Sequence, residues 1–168
     1  APVHESAALF HHYGAIACFD YAASAPYVEI SMNPAPGRYA GDATLDAIFI
    51  SPHKFLGGPG STGVLVFNES LYHSELPPSV SAGGTVDYVG PTSQDFIRDI
   101  EGREKPGTPG VLQILKAGLA FEIKDRIGVA TIERRERELL QRAFARWQAN
   151  PQIEILGNPD PDLRVSII

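Results

Sequence analysis

Four apolar residues, Ala47-Ile-Phe-Ile50, run without interruption into Ser51-Pro-His-Lys54 and then Phe55-Leu-Gly-Gly-Pro-Gly60. An apolar run with no polar alternation is typical of a strand buried on both faces of a parallel sheet. Two more short runs repeat the pattern: Ala15-Ile-Ala-Cys-Phe19, which ends at Asp20, and Val64-Leu-Val-Phe67. Two long helical patterns follow them. Strands first and helices later predict an α/β fold, with a mainly parallel sheet and flanking helices.

The chain has 168 residues, about one domain by the usual length prior. Apolar residues make up 43% of it, enough for a core and too many for a disordered chain. Lys+Arg 14 against Asp+Glu 20 leaves a net charge of −6, which argues against a nucleic-acid partner or a polybasic membrane surface. No apolar stretch reaches the roughly 18 residues that a membrane span needs. The single cysteine, Cys18, excludes a disulfide framework and a Cys-rich zinc site. It reads as a core residue and fits a reducing, cytoplasmic setting, and no secretory signal opens the chain. The sequence starts without Met, inside a helical pattern, and stops inside a strand-like run, so it reads as a piece of a larger protein.

Residues 6–13 read as the end of a helix that Gly14 closes. Asn33-Pro-Ala-Pro-Gly37 is a turn-rich linker, and residues 71–106 read as loops and short strands. Thr108 and Pro109 suit the N-cap and first position of a helix. In that helix Leu112, Leu115, Leu119 and Ile123 form one apolar stripe. Gly128 separates it from a second helix, whose predicted buried side is Val129, Ile132, Leu139, Ala143, Phe144 and Trp147. Glu133, Arg134, Arg137 and Glu138 form its solvated face. Asn150-Pro151 ends it, and residues 152–156 and 163–168 read as strands.

The chemistry concentrates where the strands end. Ligands of open α/β sheets bind at the carboxyl ends of the strands. The second run delivers Ser51, His53 and Lys54 there. A lysine beside Phe55 and Leu56 can lose hydration, which lowers its pKa and lets a neutral amine attack a carbonyl. Ser51 and His53 can hold an anionic group, and the glycines let backbone N–H groups approach it. Asp20 ends its own strand and faces the same crevice if the strands are neighbours. A carboxylate opposite a Schiff-base lysine is what pyridoxal phosphate needs to keep its pyridine nitrogen protonated.

Asp20-Tyr-Ala-Ala-Ser-Ala-Pro26, then Ser51-Pro-His-Lys54 with Gly57-Gly-Pro-Gly60, then Arg103-Glu104 and Gly107-Thr-Pro109 resemble the class V aminotransferases, the family of the cysteine desulfurases and kynureninase. The match runs in order over about residues 3–127 and more loosely beyond. It implies a fold type I enzyme dependent on pyridoxal phosphate and acting on an amino acid by transamination or by desulfurase- or lyase-type chemistry. Residues 1–150 would be the C-terminal part of the cofactor-binding large domain, and residues 151–168 the start of the small C-terminal domain. Lys54 would be the catalytic Schiff-base lysine and Asp20 the pyridinium partner. Ser51 and His53 would bind the phosphate. Thr108 would reach the phosphate held by the partner subunit of a homodimer, with Arg103 to Thr108 contributing across the interface. Cysteine desulfurases usually carry Gln three residues after the Asp, where this chain has Ala23, and their glycine stretch is shorter. These departures point to a divergent member. By the same resemblance, the family's ring-stacking residue would precede this part of the sequence, and its substrate-carboxylate Arg would fall beyond residue 168.

Plainer readings compete. Asp20 can cap a turn, Ser51 and His53 can bond the loop backbone, and Thr108 can be a helix cap alone. His11 and His12 suit a helix C-terminus. Gly58-Pro-Gly-Ser-Thr-Gly63 fits a dinucleotide fingerprint literally, but a strand follows it instead of a helix. Ser51 and Lys54 have the spacing of serine acyl-transfer enzymes, which requires a helix that Pro52 and the glycines oppose. The competing function is a non-catalytic α/β domain or a truncated remnant of such a pyridoxal-phosphate enzyme.

Overall fold

A computed structural model describes residues 2–167. The elements run α1 (Val3–His12), β1 (Cys18–Asp20), β2 (Ala47–Ile50), β3 (Val64–Phe67), β4 (Val86–Val89), β5 (Gln94–Phe96), α2 (Ile100–Arg103), α3 (Val111–Ile127) and α4 (Val129–Trp147). The α/β class and the three apolar strands are as the sequence predicts. The sheet is mixed: in the order β1-β2-β3, β1 pairs parallel with β2, and β2 antiparallel with β3. Thirteen residues link β2 to β3 with no α-helix between them, so β3 returns antiparallel.

One face of this sheet carries the core. Ile48 and Ile50 of β2 pack with Ala7 of α1, Ala17, Tyr21, Ala25, Leu45, Phe55 and Ala120 of α3. Phe19 stacks on Phe10 of α1 at 6.2 Å between ring centroids. The opposite face is open. Cys18 is exposed, and so are Phe49 and its β3 partner Leu65. Burial on both faces, and a core position for Cys18, are therefore corrected. Helices cover the Ile48 side, whereas on the other side Ala47 is buried and Phe49 and Leu65 stay exposed.

Helix α3 departs from expectation at both ends of the argument. It starts at Val111 with Gly110 at its N-cap, so Thr108 is an exposed loop residue. The reason lies upstream, where the Gly107 N–H donates to Gly83 O at 2.9 Å and holds the segment against the loop before β4. The buried residues of α3 are Ala117 and Ala120, with Phe121 half-buried against the core. Leu112, Leu115 and Leu119 are exposed. Alanines let the helix backbone approach the turn after β2, and Phe121 meets Phe55 at 4.9 Å. Gly128, at φ +81, joins α3 to α4 as the sequence predicts. In α4 the buried side chains are Leu140 and Phe144, whereas Leu139 is exposed. Arg134 and Glu138 form the expected exposed pair at 3.6 Å.

Residues 152–156 and 163–167 are not strands, and Ile168 lies outside the described residues. A strand needs a ladder partner. The tail instead folds onto α4, with Arg164 over the Phe144 ring and its guanidinium donating to the carbonyls of Leu156, Asn158 and Ile167. Arg137 of α4 pairs with Asp162 at 2.6 Å.

Candidate active site

The parallel pairing of β1 and β2 decides the site's geometry. Their register sets Asp20 against Phe49. Both strands therefore end at the same sheet edge, and the Asp20 carboxylate stands on the open face. The chain leaves β2 through Ser51 into a single 3-10 turn, Pro52–Lys54, in which the Lys54 N–H donates to Ser51 O at 3.0 Å. Ser51 is half-buried, whereas His53, Lys54 and Asp20 are exposed. No ion pair among the described residues takes up Lys54. Asp20 Oδ1 accepts from the Ala22 N–H at 2.7 Å, so the capping role is present and the second oxygen remains available. Thr108 is exposed on a loop well along the chain from this edge.

Two local expectations change. Phe55 is buried and Leu56 is 72% exposed, so neither removes Lys54 from water. The glycines after Lys54 serve the chain itself. The Gly58 N–H donates to Phe55 O at 2.9 Å, and a Cβ at Gly58 would lie 1.8 Å from Pro52 O. Only glycine permits that approach, which folds the loop back on the 3-10 turn.

The desolvated lysine is Lys124, on α3. Its Nζ donates to Ala25 O and Val28 O, each at 2.6 Å, and lies 5.7 Å from the Phe55 ring centroid. Burial pushes its pKa down, against the opposing pull of Glu133 and Glu29. Both carbonyls occupy its ammonium, so it is placed to hold backbone rather than to attack a carbonyl carbon. The sequence signal was its spacing: Ala117, Ala120, Phe121 and Lys124 recur at steps of three and four.

Two further clusters escaped sequence reasoning. At the opposite end of β2, Asp46 Oδ2 accepts from the Ala17 N–H at 2.7 Å and meets His11 Nε2 at 2.8 Å. His11 Nδ1 faces Asp42 O at 2.8 Å, so both ring nitrogens meet acceptors and the His11 pKa is raised, chiefly by the Asp46 bond. Arg103 turns inward within this chain. It is 6% exposed, donates to Ser74 O and Leu76 O, and lies over the Tyr72 and Phe96 rings. Its burial anchors the segment that leads to Thr108.

The Aminotransferase class-V family profile matches residues 1–168. The chain belongs to the class V aminotransferase family. Class V aminotransferases use pyridoxal phosphate as a family trait. A probable cysteine desulfurase of Halalkalibacterium halodurans is 30% identical over 167 residues, 99% of this chain and 38% of that protein. A probable cysteine desulfurase 2 of Mycobacterium leprae is 28% identical over 94% of this chain and 35% of its own length. Among solved structures, an apo cysteine desulfurase from Thermococcus onnurineus superposes with a TM-score of 0.78 at 21% identity. It covers 98% of this chain and 38% of its own, and it shows the shared fold. The chain thus spans about two-fifths of the length of these relatives.

The residues at the β1–β2 edge fit the family's cofactor. A carboxylate with one oxygen left over, an exposed amine with no ion-pair partner among the described residues, and the polar side chains of Ser51 and His53 belong to adjoining strand ends, which is the donor set that a charged pyridine, a carbonyl and a phosphate require.

Proposed function

We propose that this chain supplies the Asp20 and Lys54 limbs of a pyridoxal-phosphate enzyme acting on an amino acid. The supporting observation is the parallel β1–β2 register, which brings Asp20 and the Ser51–Lys54 turn to one sheet edge in a class V aminotransferase. Residues 1–150 belong to the large cofactor-binding domain in this reading, and residues 151–168 begin the small one. Asp20 faces the pyridine nitrogen and keeps it protonated. Ser51 and His53 hold the phosphate. Lys54 would hold the cofactor through its side-chain amine and, as the free amine, would move a proton at the substrate's alpha carbon. Bound there, the cofactor supplies an electron sink for charge that develops at that carbon. Thr108 reaches the phosphate of the partner subunit in a cytoplasmic homodimer. Transamination, desulfuration and lyase chemistry all share these roles.

The test is borohydride reduction of the complete protein with added pyridoxal phosphate, followed by peptide mass spectrometry. A cofactor adduct on Lys54 and bleaching of the visible band are expected. An adduct on Lys105, Lys116 or Lys124 overturns the site, and a colourless protein that takes up no cofactor supports the non-catalytic domain.

A further inference from the structure

Lys124 belongs to neither limb of the candidate site, and it touches the chain that leaves each. Ala25 and Val28, whose carbonyls it binds, lie in the turn that follows Asp20. Phe55, over whose ring it sits, directly follows Lys54. The turn after Asp20 is tied to β2 by Tyr21 N–H to Phe49 O and closed within itself by Ala25 N–H to Tyr21 O and Val28 N–H to Ser24 O. Lys124 then engages the carbonyls of Ala25 and Val28 at the end of that turn. Charge-assisted hydrogen bonds are roughly twice as strong as neutral ones, and an aromatic face beneath the cation adds to them.

The same helix grips the other limb independently. Lys116 Nζ donates to Pro59 O at 2.9 Å, and the Thr62 N–H donates to Gln113 O at 3.3 Å. Ile123 Cδ1 lies where a Cβ on Gly57 would meet it at 3.1 Å. Helix α3 therefore spans the two strand ends, and Lys124 adds hydrogen bonds to the apolar packing of Ala120 and Phe121 on the Asp20 side.

We propose that Lys124 is a positioning residue of the Asp20–Lys54 site. Its ammonium fixes the turn after Asp20 against the segment after Lys54, so the carboxylate and the amine keep one mutual geometry. The inference rests on the site assignment made under the proposed function.

The experiment uses the complete protein and the variants Lys124→Met, which keeps the stem over Phe55 and removes the donors, and Lys124→Arg, which keeps a cation. Amide exchange of the cofactor-free protein and titration with pyridoxal phosphate are measured in wild-type and Asp20→Asn backgrounds. Lys124→Met should speed exchange in residues 21–28 by about tenfold or more while β2 and α3 keep their protection. It should weaken cofactor affinity about tenfold, and Lys124→Arg should restore most of it. In the Asp20→Asn background that penalty should shrink below about twofold, because the carboxylate being positioned is gone. Should Lys124→Met fail to fold, Lys124→Gln takes its place in the same cycle.

Unchanged exchange, unchanged affinity, or an equal penalty in both backgrounds overturns the proposal; the last marks a general loosening. A wild type that captures cofactor on Lys54 while Lys124→Met behaves identically sinks the Lys124 inference alone. A folded wild type that takes up no cofactor sinks the site assignment, and the positioning role with it.

Discussion

At the scale of single residues, exposure separates chemistry from support. Lys54 is exposed at a strand end, so Lys54→Ala removes no core packing. Thermal or urea unfolding should shift by no more than about ±0.5 kcal/mol. Covalent capture of pyridoxal phosphate, read by mass spectrometry, should nevertheless vanish. His11 is the opposite case, a titrating group that supports structure. Its ring is held between Asp46 and Asp42 O, and its folded pKa is raised above the usual value near 6.5. The folded state therefore binds the proton more tightly than the unfolded chain. That stabilisation is fully present below about pH 6.5 and is lost as pH rises through the raised folded value. Urea midpoints should fall across that window, and His11→Asn should flatten the fall. A wild type and variant with parallel pH profiles would sink this assignment.

At the scale of elements, tight backbone approach and helix faces carry the argument. A Cβ at Gly58 would meet the Pro52 carbonyl oxygen at 1.8 Å. Gly58→Ala should therefore destabilise the folded state by about 1–3 kcal/mol, as forced overpacking does. It should also lower covalent capture at Lys54, since the loop begins in the same 3-10 turn; an unchanged urea midpoint would show that the loop yields freely. Helix α3 is apolar on two faces. Its alanine face lies on the core, and its leucine face is open. Periodicity finds both stripes and does not rank them. The small side chains won because the helix must approach the turn after β2 closely.

At the scale of the whole molecule, the open surfaces decide behaviour in solution. Leu112, Leu115 and Leu119 line one side of α3 at 77%, 59% and 58% exposure. An exposed apolar stripe on a helix marks an interaction surface, and contiguous apolar surface drives association. The 168-residue chain alone should self-associate at micromolar concentration. Replacing the three leucines by Gln, which keeps helix propensity, should leave it monomeric by light scattering. A wild-type chain that stays monomeric with no dye-binding surface would contradict this.

Short-range pattern sufficed for the three sheet strands, the Gly14 and Gly128 stops, and the motif that ends in Lys54, because an unbroken apolar run or a positive-φ glycine is a local demand on the chain. It also carried the family, through the order and spacing of Asp20, Ser51, His53 and Lys54. Tertiary structure alone decided the rest. Residues 152–156 carry strand-forming side chains yet form no strand, because a strand exists only where another offers a ladder. Asp46 meets His11, and Lys124 reaches the turn after Asp20, across 35 and about 100 positions of chain. No local pattern encodes which distant carbonyl a lysine will find. That choice is made when the alanine face of α3 settles against the core and brings the ammonium to the carbonyls of Ala25 and Val28.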